Sequence, residues 1–223
     1  MRTLIFSDTH LGRKFNKRQC NYLINLFSGF DQIIINGDFW DEKKISFDEF
    51  MASPWAKLFP ILKAKKAIYI HGNHDPADKT DERVREFCDI SCHYYKLRLP
   101  DGTMLHIEHG QNMSLLSVLS YKLFKKSPKF LKYITILVNF PLKYLQLALM
   151  YSGKKGIKIT NKAMNYSYIK KGKKRNCILV MGHTHAIYFD IQSLYINTGF
   201  IDKNFASYLD IHDKDLALVR NYY

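Results

Sequence analysis

Five short segments of this 223-residue chain carry acidic, amide or imidazole side chains, and four of them follow β-like apolar runs. They are Asp8-Thr9-His10, Gly37-Asp38-Phe39-Trp40-Asp41, Gly72-Asn73-His74-Asp75, His109-Gly110 and Gly182-His183-Thr184-His185. Leu4-Ile5-Phe6 precedes Asp8, Ile33-Ile34-Ile35 precedes Asp38, Ala67-Ile68-Tyr69-Ile70 precedes Asn73, and Ile178-Leu179-Val180-Met181 precedes His183. Short continuous apolar runs read as strands buried on both faces. Open α/β sheets collect their ligands at the carboxyl ends of such strands. The glycines at 37, 72 and 182 are expected to permit sharp turns there. The Asp8-x-His10 and His183-x-His185 spacings put both side chains on one side if the backbone stays extended.

The donor set is carboxylate, amide and imidazole, with no thiolate. It suits manganese, iron or zinc held as a pair, and a metal pair is the usual device for hydrolysing phosphate esters. The four cysteines, Cys20, Cys88, Cys92 and Cys177, show no zinc spacing and read as reduced thiols of a cytosolic protein. His71, His93, His106 and His212 read as packing or surface residues.

These motifs resemble the calcineurin-like metallophosphoesterase superfamily, across nearly the whole chain except residues 113–175. The resemblance implies an α/β fold, a four-layer αββα sandwich with a dinuclear site between its two sheets. It implies that Asp8, His10 and His185 hold one metal, that Asn73, His109 and His183 hold the other, and that Asp38 bridges both. His74 is implied to contact the substrate phosphate and to help the leaving group depart. Asp41 and Asp75 read as residues that orient imidazoles or loops around the ligands.

The coarse element order agrees with such a sandwich. Strands are expected at 2–7, 32–36, 67–71, 93–99 and 103–108, and helices near 17–28, 46–65 and 80–88. Pro100-Asp101-Gly102 is a hairpin-type turn signal. Five more strands are expected at 177–181, 186–191, 194–198, 206–211 and 216–220. An alternating β/α first half thus gives way to a β-rich end, all within one domain spanning 1–223. Met1-Arg2 leads straight into the first strand and ligand, so no signal peptide is expected. Nor is a membrane span. The best candidates, between Lys132 and Lys143 and between Lys143 and Lys154, each offer only 10 uncharged residues.

Charge is distributed unevenly. The chain carries 34 Lys and Arg against 20 Asp and Glu, a formal charge of +14. Residues 113–175 hold 15 of the basic residues and none of the acidic ones, which leaves 19 against 20 elsewhere. Leu115, Leu116, Leu119 and Leu123 recur at helical spacing, as do Phe130, Leu131, Ile134, Leu137 and Val138. The segment therefore reads as a basic amphipathic helical insertion. It is either a cap packed on the sandwich, or a lid that accepts an amphiphilic anion or touches an anionic membrane surface.

A narrower resemblance is to the UDP-2,3-diacylglucosamine diphosphatases of lipid A synthesis. It rests on overall size, the helical insertion after His109, and the ending Tyr195-Ile196-Asn197-Thr198-Gly199 followed by Ser207-Tyr208-Leu209-Asp210-Ile211. It implies a peripheral enzyme at the inner face of the membrane that releases UMP and a lipid monophosphate. The chain departs from that pattern at His74, Gln111, Ala186 and Phe200-Ile201. A nuclease or nucleotide phosphodiesterase, with the basic insertion as a track for nucleic acid phosphates, is the alternative.

Overall fold

The computed structural model describes residues 1–111, 168–169 and 176–223. The insertion expected over 113–175 therefore lies outside the described residues, apart from the helical pair Tyr168 and Ile169.

Alternation within the strands explains the layering. In β1 (Arg2–Phe6) and β2 (Gln32–Asn36), Leu4, Phe6, Ile33 and Ile35 point to one side and Ile5 and Ile34 to the other, all fully buried. The first set packs with Cys20, Leu23 and Phe27 of helix α1 (Lys17–Ser28) and with Leu62 of α3 (Phe59–Ala64). The second set meets Leu105 and Ile107 of β6 (Met104–Glu108) and Ile178 and Val180 of β7 (Ile178–Met181). Leu179 and Met181 face away from that core, onto Tyr168 and Tyr195. The order is helices, sheet, sheet and then Tyr168, as expected for a sandwich whose sheets are apolar on both faces. Each fully buried Leu, Ile or Phe contributes about 1.5–3 kcal/mol.

Among the described residues the first sheet has seven strands. β1, β2, β3 (Ile68–Ile70) and β4 (Ile90–Cys92) run parallel. β11 (Phe205–His212) pairs antiparallel with β1, with β10 (Ile201–Asp202) and with β12 (Asp215–Tyr222). The second sheet has the order β5-β6-β7-β9-β8, with β5 at Tyr94–Arg98, β8 at Tyr188–Asp190 and β9 at Tyr195–Asn197. Its central strands β6, β7 and β9 are parallel.

Two helix expectations are corrected. The single helix near 46–65 is three pieces: α2 (Phe47–Met51), a 3-10 turn at Pro54–Leu58, and α3. Ser46 and Glu49 form a reciprocal capping box that starts α2. Ser53 then caps the next turn, and prolines 54 and 60 cannot continue a preceding helix. The helix near 80–88 is two 3-10 turns, Ala77–Lys79 and Glu82–Glu86. By contrast α1 falls on its expected bounds. The Asn16 side chain accepts a hydrogen bond from Gln19 N at its start, and Gly29 N–H donates to Leu26 O at its end. Among the described residues no helix is long and apolar enough to cross a membrane.

Candidate metal centre

All seven expected ligands follow strands whose carboxyl ends share one edge of the sandwich. Asp8 and His10 follow β1, Asp38 follows β2, Asn73 follows β3, His109 follows β6, and His183 and His185 follow β7. Backbone bonds extend the pairing past the strand ends. Asp8 N–H donates to Gly37 O at 3.1 Å, His10 N–H to Asp38 O at 2.9 Å, and Gly182 N–H to His109 O at 3.1 Å. His183 N–H donates to Asp8 Oδ2 at 3.0 Å and so locks the second sheet to the first.

The side chains converge as two groups. In one, His185 Nε2 lies 3.2 Å from Asp8 Oδ1 and 3.3 Å from His10 Nε2. In the other, Asn73 Oδ1 lies 2.7 Å from His183 Nδ1 and 3.2 Å from His109 Nε2. Asp38 Oδ2 sits between them, 3.2 Å from His109 Nε2 and 3.8 Å from His10 Nε2. The side chains named by the sequence resemblance thus lie next to one another in these two groups. A third cluster, His10, Asp41 and His74, shares His10 with the first group. Its Asp41 is already engaged, accepting from His74 Nδ1 at 2.9 Å and from Lys44 Nζ at 2.8 Å.

The donor atoms fit cations. His109 Nδ1 lies 2.8 Å from Asn36 O, and that carbonyl can only accept, so Nδ1 carries the proton. In the neutral ring, Nε2 then aims a lone pair at Asn73 Oδ1 and Asp38 Oδ2, neither of which can donate. Only a positive centre reconciles these atoms, either a proton on Nε2 or a metal ion between them. Burial opposes a proton there, yet Asp38 and Asp8 raise the His109 imidazolium to about 9. Burial is the largest influence and would raise Asp8 and Asp38, but His109 together with His185 at Asp8, and with the His74 amide and His10 at Asp38, holds both carboxyls below their usual range. Burial, reinforced by His109, pushes His183 down to about 4, and burial likewise lowers His10, so both are neutral and ready to ligate. Asp8 Oδ1 is buried and accepts no hydrogen bond from the described residues, which leaves it free to bind a cation.

The local backbone corrects the extended reading. Asp8, His10, Asp38, His183 and His185 all have positive φ, between 46° and 64°. The ligand pairs come together through left-handed turns, a conformation costing about 1–2 kcal/mol for an ordinary residue and best tolerated by Asp, Asn and His. The glycine reading also changes. Gly37 does adopt φ +81°, whereas Gly72 and Gly182 are required for space. A Cβ at Gly72 would strike the Asp38 carboxylate and amide, and one at Gly182 would strike Ser7 Oγ and Asp8.

Asp75 pins three backbone amides: Gly72 and Asp38 donate to Oδ1 at 2.7 and 3.0 Å, and Phe39 donates to Oδ2 at 2.7 Å. It therefore fastens the Asn73 loop to the Asp38 loop. Full burial and the nearby Asp38 charge raise its pKa to about 7. His74 N–H donates to Asp38 Oδ1 at 2.8 Å, and its ring meets His10 edge-on at 4.6 Å. His71 and His106 are buried packing residues, with His71 Nε2 2.7 Å from Ser91 Oγ and His106 stacked on Tyr94.

Several supporting residues lie outside the five ligand segments. Lys44 is ion-paired to Asp41. Ser7 Oγ and Thr198 Oγ1 lie 2.8 Å apart. Asn197 Nδ2 donates to Gly182 O at 2.8 Å and to Thr184 Oγ1 at 3.0 Å, holding the turn before His183. Phe200 stacks on His185 at 5.5 Å. Each acts through one or two tertiary contacts, so no spacing rule could reveal it.

Comparisons with known proteins agree with this architecture. A search of curated proteins finds no match. Among solved structures, Vps29 from Entamoeba histolytica complexed with Zn2+ matches at 11% identity and TM-score 0.50, covering 100% of this chain and 99% of that one. TT1561 of Thermus thermophilus matches at 12% identity and TM-score 0.50, covering 98% and 97%. YfcE, a phosphoesterase from E. coli, matches at 18% identity and TM-score 0.49, covering 98% and 92%. At such identities the likeness to Vps29 and TT1561 is one of fold alone. The model of the calcineurin-like phosphoesterase family, by contrast, matches residues 1–216. The chain belongs to that family and is a metal-dependent phosphoester hydrolase.

Proposed function

We propose that this chain hydrolyses a phosphodiester or pyrophosphate bond, with Asp8, His10 and His185 as ligands of one divalent metal, Asn73, His109 and His183 as ligands of a second, and Asp38 shared. The convergence of these seven side chains into two adjoining groups, each drawing on both sheets, carries the reading. Manganese, iron or zinc suits the set. When bound, such a pair supplies charge for the phosphoryl oxygens and acidifies a water.

The protein's own residues supply the rest. Asp41 accepts from His74 Nδ1, which fixes the tautomer and leaves Nε2 to face the substrate phosphate. His74 helps the leaving oxygen depart by proton donation or charge compensation. The His74 amide steadies Asp38 through Oδ1, leaving Oδ2 for the metals. Asn73 is neutral, so it adds a ligand without adding negative charge against an anionic substrate.

The substrate class we favour is a nucleotide-linked lipid such as UDP-2,3-diacylglucosamine, cleaved to UMP and lipid monophosphate. The charge of residues 113–175, all of one sign beside apolar helical periodicity, supports a lid for an amphiphilic anion and attachment to an anionic membrane face. The test is a manganese-supplemented assay run on bis-p-nitrophenyl phosphate and on UDP-2,3-diacylglucosamine in detergent. UMP release at far higher efficiency on the lipid is expected. Turnover of only the generic diester would retain the metal site and remove the lipid from the reading.

A further inference from the structure

A cavity adjoins the metal centre, and apart from His10 and Lys44 the hydrolytic reading above uses none of its lining. It measures about 1000 Å3 and has His10 in its wall. The loop from β1 to α1, Lys44 and the turn between β10 and β11 enclose it. Its lining is strongly cationic, with Asp202 as its one carboxylate. Arg13 is tied to Glu49 and Lys44 to Asp41. Lys14, Lys17, Arg18 and Lys203, in contrast, have no carboxylate within 4.0 Å among the described residues. Phe15 and Trp55, edge to face at 4.8 Å, give the same cavity an apolar wall.

The frame that carries these cations is rigid. Trp55 Nε1–H donates to Gly12 O at 2.8 Å, and Gln19 Nε2–H donates to Ile201 O at 2.9 Å. Lys44 lies across Gly12, where a Cβ would come within 2.9 Å of its Cδ. The charge placement is also costly for the free protein. Lys17 and Arg18 occupy the first turn of a 12-residue helix that has no acidic residue there. Cations at a helix N-terminus oppose its macrodipole, so folding alone gives no reason for them. An anion in the cavity would satisfy the helix end and the four unpaired side chains together.

We infer that this cavity binds a second phosphate group of the substrate, beyond the phosphorus that is attacked, with the moiety attached to it lying along Phe15. The inference rests on the hydrolytic reading for the identity of the first phosphate. It narrows the substrate to a diphosphate ester rather than a simple phosphodiester. Phosphate charge is the recognised chemistry, and the test separates a small diphosphate from a nucleic acid strand.

The experiment uses the full chain loaded with manganese. The variant combines Lys14→Gln, Lys17→Gln, Arg18→Gln and Lys203→Gln, none of which belongs to the metal centre. UDP, inorganic phosphate and oligothymidylate are titrated calorimetrically into both proteins, and bis-p-nitrophenyl phosphate turnover and thermal melting are recorded alongside. Wild type should bind UDP at least about tenfold tighter than phosphate, and the variant should lose roughly that tenfold while its phosphate affinity and turnover hold. Its melting temperature should not fall, because two of the four charges oppose the helix dipole. Equal UDP affinity in both proteins, or UDP no tighter than phosphate in wild type, overturns the inference. So does loss of oligothymidylate binding with UDP binding intact. Should the quadruple variant fail to fold, Lys14→Gln with Lys203→Gln, both exposed, should still weaken UDP about threefold, and no weakening overturns the inference. Absence of turnover in wild type would sink the hydrolytic reading instead, and the UDP titrations would still decide the cavity.

Discussion

The two ligand groups are built from the same residue types but sit in unlike surroundings. His109 and Asp38 are enclosed, at 0% and 2% side-chain exposure, and His109 is oriented from behind by the Asn36 carbonyl. In the other group His185 is 45% exposed and is steadied by stacking on Phe200, while Asp8 is fully buried. One group is a closed cradle with outer support, and the other opens to the cavity and to solvent. A closed, supported group retains a metal, and an open one exchanges it and admits substrate. Under the proposed ligand assignment, a metal near His109 is expected to be held longer than one near His185.

The most severe way to break this comparison is to remove what the groups share. Asp38→Ala should lower kcat/KM for bis-p-nitrophenyl phosphate by at least about a thousandfold, with metal content by mass spectrometry falling below two per chain. Wild-type turnover in that variant would dissolve the shared-ligand assignment. His74→Ala should cost about a hundredfold or more in rate with both metals retained. Asp41→Ala, acting through His74, Lys44 and the Lys43 amide, with His10 Nδ1 3.7 Å away, should cost about tenfold. Loss of metal from the His74 variant would move that residue into the ligand set.

A gentler probe sharpens the contrast. Timed chelation should release metal in two phases, the open group emptying roughly tenfold faster than the enclosed one. His185→Ala should abolish the fast phase and His109→Ala the slow one, and a single phase would erase the distinction. The smallest effect is expected from Asp75→Asn, which replaces one of the two oxygens accepting from the Gly72, Asp38 and Phe39 amides with an amide NH2 that cannot accept. It should destabilise the fold by about 1–3 kcal/mol in urea melts while leaving metal stoichiometry unchanged.

Much of this architecture is legible in the residues themselves. Apolar runs at strand ends pointed to the segments holding Asp8, Asp38, Asn73 and His183, whereas the assignment of ligands, His109 after the mixed strand β6 among them, came from the resemblance to the family. Helix α1 was readable because Asn16, the Cys20/Leu23/Phe27 stripe and Gly29 agree with one another. The 46–65 region was not, since apolar periodicity runs through a capping serine and two prolines that divide it. β4 and β10 escaped notice because three and two residues are too few to show alternation. The left-handed ligand turns were illegible for a different reason. A two-residue spacing looks alike whether the chain is extended or coiled, and only the tertiary bonds to Gly37 and Asp38 decide.

Each metal group takes donors from both sheets: Asp8 and His10 with His185, and Asp38 and Asn73 with His109 and His183. The sequence separation between His10 and His185, inside one group, is 175 residues. Such a site cannot form on a half-built chain, because neither sheet alone offers more than part of either donor set. Catalytic competence is thereby tied to completed assembly, and a partly folded molecule is inert toward cellular phosphate esters. The same arrangement makes bound metal a rivet across the sandwich, so the holoprotein should resist separation of its sheets in a way the stripped chain does not.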